Sequence, residues 1–503
     1  MGALVHGNPP WAGMGAESLR VDHMGFPMLL RIASLVTERR SLASAMSGMV
    51  LLALAVAMNL VRFIGLAESP PGFYVDEAAG AVTIQCLATE GIDAAGVAYP
   101  LFSDTGFGTP KPPPYLYLGL LWTRLFGFSI ASHRAFSAAV VTATVVVLAL
   151  LGSRLLGRRF ATLVAVAASL SPWAFLSSRI AWEVPLYPFF LVSGIYLILC
   201  GSSSALALLA GSCLSLAMYS YPPALAEVPL ALPALLWFAR KRFGVARRYL
   251  LVAVCGFLLA SVPLARVTLR GRMVERLRSI GTFHSTKSPA EFPAVFVGNY
   301  LAHLDPTFLF FKGDKNLRHS TQFCGQLGWL DTFVLGLGLA SWAGRKRSRA
   351  PDEGMPENHR VLVFFLVNAA LGVVPAALTD EGLPHALRAI GAWPFVSLLT
   401  GYALWKNLDR RRALLPLTAA LSLAFSIGFT RHFFTVYPDT ARTWFDAKIR
   451  EFASSAQAPE NWRAALAHFP ERGVQVRYFM MNGLPGEACS RSGKQISRFL
   501  HRL

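Results

Sequence analysis

The chain has 503 residues, of which 54% are hydrophobic and 15% charged, against about 25% charged in ordinary soluble proteins; that balance excludes a soluble globular enzyme. Its 47 Lys and Arg against 28 Asp and Glu leave a formal charge of +19, but the cations sit between long apolar runs, as loop cations do in membrane proteins, so no nucleic-acid partner is expected. Cys86, Cys200, Cys213, Cys255, Cys324 and Cys489 have neither metal-ligand spacing nor a disulfide framework, which leaves the bilayer to hold the fold.

In chain order, residues 1–41 read as a cytoplasmic tail. Arg20, Arg31, Arg39 and Arg40 surround only a short apolar patch at 26–30, too little for a cleavable signal, and Met24 or Met28 would serve as alternative starts. A bilayer crossing needs roughly 20 apolar residues. Eleven stretches in 42–430 approach this: 42–66, 137–156, 160–176, 185–200, 205–219, 224–238, 249–265, 327–343, 361–378, 389–404 and 413–430. The expected architecture is therefore an all-α polytopic membrane protein.

Short cytoplasmic loops collect Lys and Arg, which sets the orientation. With Arg39 and Arg40 inside, successive crossings put four basic loops inside, around Arg158, Arg247, Arg349 and Arg411. The outer face then receives 67–136, 266–326, the short 379–388 and a tail at 431–503 that reads as a small soluble domain, with an amphipathic stretch at 443–452 and a strand at 474–480. Arg270, Arg272, Arg276 and Arg278 fall on that outer side, in a loop long enough to escape the charge rule. Residues 115–126 are apolar and aromatic but interrupted by Arg124 and preceded by Pro112, Pro113 and Pro114; they read as an interfacial helix on the outer surface. Trp173, Trp182, Tyr219 and Tyr221 fit an aromatic interfacial belt.

Chemistry is expected on the outer face, where Asp76 and Glu77 follow the first membrane helix. One reading makes Asp76 the N-cap of a short helix beginning near Ala78. The other makes it a general base at the lipid surface, where partial desolvation increases its basicity.

These residues carry a resemblance. Pro71, Gly72, Phe73, Tyr74, Val75, Asp76 and Glu77, then Gly91, Ile92, Asp93, Gly96, Pro100, Leu101 and Phe102, then Lys111, Pro112 and Pro113 with Leu125, Phe126, Gly127 and later Arg134 resemble the first outer loop of the protein O-mannosyltransferase and lipid A aminoarabinose transferase family, glycosyltransferases of the GT-C class. Ser171, Pro172 and Trp173 with Ser178, Arg179, Ile180, Ala181, Trp182 and Glu183 resemble its second motif. Asn299, Tyr300, His303, Leu304, Pro306, Gly313, Asp314 and Arg318, and later Thr379, Glu381, Gly382, Pro384, His385, Ala386, Leu387 and Arg388, are similar to further family elements. The departures are Glu183, where many members carry Asp, and the third proline, Pro114.

The resemblance implies a GT-C-type membrane domain at 42–430 with catalytic outer loops at 67–136 and 266–326. It also implies a sugar donor linked to polyprenyl phosphate, and an acceptor hydroxyl on a protein, lipid or glycan. A polyprenyl chain gains about 0.8 kcal/mol per buried CH2, which holds the donor phosphate at the outer interface. In the implied reaction Asp76 is the base and Glu77 and Glu183 assist it. Lys111, His385, Arg388 and Arg318 hold the phosphate, and Asp93, Arg179, His303 and Asp314 support them. Other readings stand beside these: Lys111 and Arg388 as lipid head-group anchors, Arg179 and Glu183 as a pair one helical turn apart, Asp314 and Arg318 as a local salt bridge. No cofactor is called for; His303, Asp305 and His319 match no compact zinc spacing, and a divalent metal stays an open question. The expected location is the cell inner membrane with the site on the periplasmic, extracytoplasmic side. The rival is a lipid or solute transporter, for which ionisable residues near mid-membrane would be expected.

Overall fold

The computed structural model describes residues 44–93, 97–103, 111–269, 281–282, 286, 288–345, 357–408 and 414–454. Among these residues the chain is helical, and extended pairing is limited to three isolated bridges. The helices are α1 (Ser44–Val61), α2 (Val75–Thr89), α3 (Pro113–Phe126), α4 (Ile130–Leu156), α5 (Arg158–Ser169), α6 (Pro172–Ser177), α7 (Leu186–Cys200), α8 (Ser204–Ser220), α9 (Ala224–Phe243) and α10 (Arg247–Leu269). They are followed by α11 (Phe292–Ala302), a π-turn (Thr307–Phe311), α12 (Trp329–Arg345), α13 (Glu357–Leu371), α14 (Val374–Ala377), α15 (Ala392–Leu408), α16 (Leu414–Thr435) and α17 (Tyr437–Ser454).

Five of these segments are long and apolar enough to cross a membrane: Ser44–Val61, Ile130–Leu156, Arg247–Leu269, Asn358–Ala377 and Leu414–Thr435. Several other apolar stretches form shorter helices, such as Leu186–Cys200 and Ser204–Ser220. The stretch expected to run through 160–176 is broken, because Pro172 follows Ser171, whose hydroxyl accepts from Ala174 N and starts a new helix. The corner that results carries Arg179, Trp182 and Glu183.

Two packing layers hold this corner. In the first, α8 lies between α7 and α10. Its approach to α10 is at backbone contact: a Cβ on Gly211 would overlap the Ala253 carbonyl oxygen, and one on Gly256 would stand 2.7 Å from that of Leu208. Without a hydrophobic force between helices in lipid, such close small-residue crossings supply the attraction by van der Waals contact. In the second layer α4 packs on α5 and α7, and α5 on α15, which also meets α12 and α13.

The end of α1 is tied to this corner by Arg179. Its terminal nitrogens donate to the carbonyls of Val61, Arg62, Ile64, Gly65 and Ser69, and its guanidinium lies against Phe433 and Phe434. The pair expected between Arg179 and Glu183 does not form, since the five carbonyls gathered after α1 compete better for a planar donor set. The tail turns back: α17 follows α16 after Val436 and packs against both α16 and α2. The expected N-terminal tail, Arg270, Arg272, Arg276, Arg278, Arg349, Arg411, Cys489 and the strand at 474–480 lie outside the described residues.

Candidate active site

The first bank of the site is the start of α2. The helix begins at Val75 with Tyr74 as N-cap, so Asp76 lies within the first turn instead of capping a helix at Ala78. Glu77 does the capping: its Oε2 accepts the Tyr74 N–H at 2.9 Å. The Glu77 carboxylate, fully buried, also meets Arg134 of α4 in a two-pronged pair, Nε to Oε1 at 2.8 Å and Nη2 to Oε2 at 2.9 Å, and Oε1 takes the Ala181 N–H at 2.8 Å. Arg134 spends its other donors on the carbonyls of Leu66, Pro70 and Gly72. All five N–H groups of the guanidinium are thus used, and they clamp the loop between α1 and α2.

Asp76 is different. It is half-buried, and among the described residues no donor is bonded to its carboxylate; it acts on Lys111 through charge. Lys111 Nζ donates to Glu183 Oε2 at 3.1 Å. Burial alone would lower the Lys111 ammonium, but Glu183 and Asp76 outweigh it and hold it above its ordinary value. Asp93 shapes the loop that delivers this lysine, accepting from Val97 N at 2.8 Å and from the Ser103 hydroxyl at 3.1 Å. Ser103 in turn bridges to Lys111.

A second bank comes from the later loops. Asp314 accepts from Asn316 N and Ala386 N and meets His319 Nδ1 at 2.8 Å. His303 Nδ1 faces the Asn299 carbonyl, which leaves Nε2 to accept the His385 N–H at 3.0 Å. Arg388 donates to Thr379 Oγ1, the Glu381 carbonyl and Glu381 Oε2. The expected Asp314–Arg318 bridge is not made, because His319 and two backbone amides already occupy the carboxylate. Arg318 instead bonds Asn316 Oδ1 at 3.1 Å and lies 4.2 Å from the centre of the Tyr74 ring, with Trp444 of α17 at 5.8 Å.

The banks converge. The Tyr74–Arg318 stack joins the loop before Asp76 to the 314–320 loop, Trp182 beside Glu183 reaches the His319 ring at 6.3 Å between centres, and Trp173 Nε1 donates to the Ala386 carbonyl. Nothing in the sequence marked Trp444 beyond an amphipathic stretch. Nor did it announce that Asp314, His319 and His385 bring ligand atoms within 4.8 Å of one another. By distance these three could hold a metal. Burial lowers both imidazoles; Asp314 works against this at His319, while Arg318 and Arg388 lower both, so the two guanidiniums beside the cluster favour an anion there.

Residues 110–265 match the family model described as dolichyl-phosphate-mannose-protein mannosyltransferase. The structure is similar to that of ArnT from Cupriavidus metallidurans in the apo state, at 13% identity over 89% of this chain and 88% of that chain, with a TM-score of 0.51. The fold is that of the GT-C glycosyltransferases. The same ArnT bound to undecaprenyl phosphate matches at 14% identity over the same shares with a TM-score of 0.49. The oligosaccharyltransferase AglB from Archaeoglobus fulgidus, in complex with an inhibitory peptide and a dolichol-phosphate, matches at 15% over 89% of this chain and 59% of that one, with a TM-score of 0.46. No curated protein matches the chain. Within this GT-C fold, the family match takes in Lys111, Arg134, Arg179 and Glu183, while Asp76 and the whole second bank lie outside it.

Proposed function

We propose that the protein is a membrane glycosyltransferase that moves a sugar from a polyprenyl phosphate to an acceptor hydroxyl on the extracytoplasmic face. The observation that carries this reading is a division of labour among charged groups at one end of the helices. Among the described residues, Asp76 is a carboxylate without a bonded donor, next to an ammonium, while Glu77 is saturated and Arg318 is a guanidinium without a carboxylate. A base and an anion-gripping cation are what the reaction needs. Asp76 takes the proton from the acceptor hydroxyl as its oxygen bonds to the anomeric carbon; the bond from that carbon to the phosphate oxygen breaks on the opposite face, with inversion. The departing polyprenyl phosphate carries its electron pair to an electropositive cradle.

In this scheme Arg318 grips the phosphate, with His385 and Arg388 lining the cradle, and Lys111 is held between Glu183 and Asp76, where it orients the base. Glu77 holds the fold of the loop rather than reacting. ArnT, whose apo fold this chain shares, is known in a complex with undecaprenyl phosphate, which supports a lipid-linked donor. The orientation follows from the basic loops: amino terminus in the cytoplasm, α2 and the second bank outside the inner membrane, and α3 lying along its outer surface, with 42–430 as the membrane domain and the tail beyond it outside. A transporter would need ionisable groups strung along a path through the bilayer, whereas the acids and cations described above gather at the loops.

The test is incubation of the purified protein with radiolabelled polyprenyl phosphate sugars, followed by identification of the donor consumed and the product labelled. Asp76→Asn preserves shape but removes proton affinity, so turnover is expected to fall at least about a hundredfold with thermal stability unchanged. Near-normal turnover of this variant would remove Asp76 from the reaction.

A further inference from the structure

The C-terminal helix α17 is built into the site. Tyr437, Ala441, Trp444 and Phe445 follow the i, i+4, i+7, i+8 spacing of one helical face, and each has a partner or is buried. Tyr437 is fully buried and its hydroxyl donates at 2.6 Å to the carbonyl of Leu317, the residue before Arg318. Phe445 is buried and meets the Tyr74 ring edge-on at 6.4 Å. Between these two attachments, the Trp444 ring lies 5.8 Å from the Arg318 guanidinium, which also lies 4.2 Å from the Tyr74 ring.

Arg318 is only 6% exposed. Its Nε bonds Asn316 Oδ1, yet neither terminal nitrogen meets an acceptor among the described residues. Arg134 and Arg388, by contrast, each hold a carboxylate. A carboxylate beside Arg318 would compete with an incoming phosphate, whereas an aromatic face attracts the cation through its quadrupole and leaves the N–H groups free.

We propose that Trp444 is a positioning residue: with Tyr74 it closes an aromatic cage that holds the Arg318 guanidinium ready for the phosphate of the lipid carrier, so that α17 is part of the donor site. This rests on the reading of Arg318 given under the proposed function. A residue that served only to pack would be replaced equally well by any apolar side chain; a cage for a cation requires a π face.

The experiment measures binding of undecaprenyl phosphate to the full-length protein purified in detergent, with thermal unfolding followed in parallel. Trp444→Leu is expected to weaken binding about three- to thirtyfold, the range that follows from loss of one cation–π contact; Trp444→Phe keeps a ring face and should stay within about twofold of wild type. In an Arg318→Gln background, Trp444→Leu should cost nothing further, which a packing role would not produce. Tyr74→Leu probes the other ring with the same expectation, should Trp444→Leu fail to fold. Wild-type binding by Trp444→Leu, or equal weakening by Leu and Phe, would overturn the role of α17 while Arg318→Gln still weakens binding. Wild-type binding by Arg318→Gln would instead remove Arg318 from the phosphate site, and the reading of the cradle with it.

Discussion

Glu77→Gln is the perturbation that best separates scaffold from chemistry at the start of α2. The carboxylate receives four hydrogen bonds, two on each oxygen: Arg134 Nε and Ala181 N on Oε1, Arg134 Nη2 and Tyr74 N on Oε2. Glutamine keeps the shape but offers one oxygen and one NH2. Whichever way the amide turns, its NH2 points at two donors, so two bonds are lost and replaced by donor–donor contacts. Two buried donors left unsatisfied cost about 1–3 kcal/mol each, and the Arg134 guanidinium loses its only carboxylate among the described residues. Breaking one side of a buried ion pair costs about 3–5 kcal/mol, in agreement with the bond-by-bond sum. The expected result is a clear loss of thermal stability in detergent, measured by unfolding of the purified variant, with the loop between α1 and α2 becoming accessible to protease. A variant that unfolds like wild type but has lost turnover would refute the argument and make Glu77 a reacting group.

Gly211→Ala should destabilise the α8–α10 crossing by at least about 1–3 kcal/mol, because the new methyl meets the Ala253 carbonyl oxygen and the Phe257 nitrogen of the facing backbone; an unchanged unfolding temperature would mean the helices part without penalty. Arg388→Lys replaces a fork that reaches Thr379 and two Glu381 oxygens with a point charge, so the donor concentration needed for half-maximal turnover should rise several-fold, whereas stability should change by no more than about 1 kcal/mol given the exposure of Glu381. Burial first, and then neighbouring positive groups including Arg388 and Arg318, lower His385, and burial lowers His319. The unfolded chain, with imidazoles near 6.5, then binds protons before the folded one does. Stability from these two groups is complete above that pH and is lost as pH falls below it, so unfolding temperature should drop on acidification, and less steeply in His385→Gln; parallel curves for variant and wild type would contradict this.

The membrane class of the chain was legible because hydropathy and charge are local properties of sequence. The longer stretches in 42–66, 137–156, 249–265, 361–378 and 413–430 all coincide with helices long enough to cross. Partner choice was not legible. Residues four apart pair readily only when both stay on one helix, and α6 ends at Ser177, before either residue, so Arg179 faces the carbonyls after α1 while Glu183 faces Lys111, 72 residues away. The same failure befell Asp314 and Arg318, where His319 and the Ala386 amide outcompeted the near neighbour. Trp444 could not be found from sequence at all, because its role depends on α17 folding back over α2, a long-range contact that periodicity does not encode.

Two carboxylates side by side in the chain need not share a task, and the geometry here explains why they do not. Consecutive residues at a helix start point in directions about 100° apart, so Glu77 turns toward the protein and Asp76 toward the loop that carries Lys111. Turned inward, Glu77 is desolvated and must be paired, and Arg134 answers it while fastening three carbonyls of the preceding loop. That ion pair neutralises the inner carboxylate locally, which lessens the repulsion a second negative charge would meet at the next position. Asp76 is then left half-buried, with an ammonium near it and no bonded donor among the described residues. A carboxylate in that state has lone pairs to give to a proton, which a saturated one has not. On the proposed reading one acid is structural and its neighbour chemical, so the pair of substitutions Glu77→Gln and Asp76→Asn should divide accordingly, the first lowering stability and the second lowering turnover.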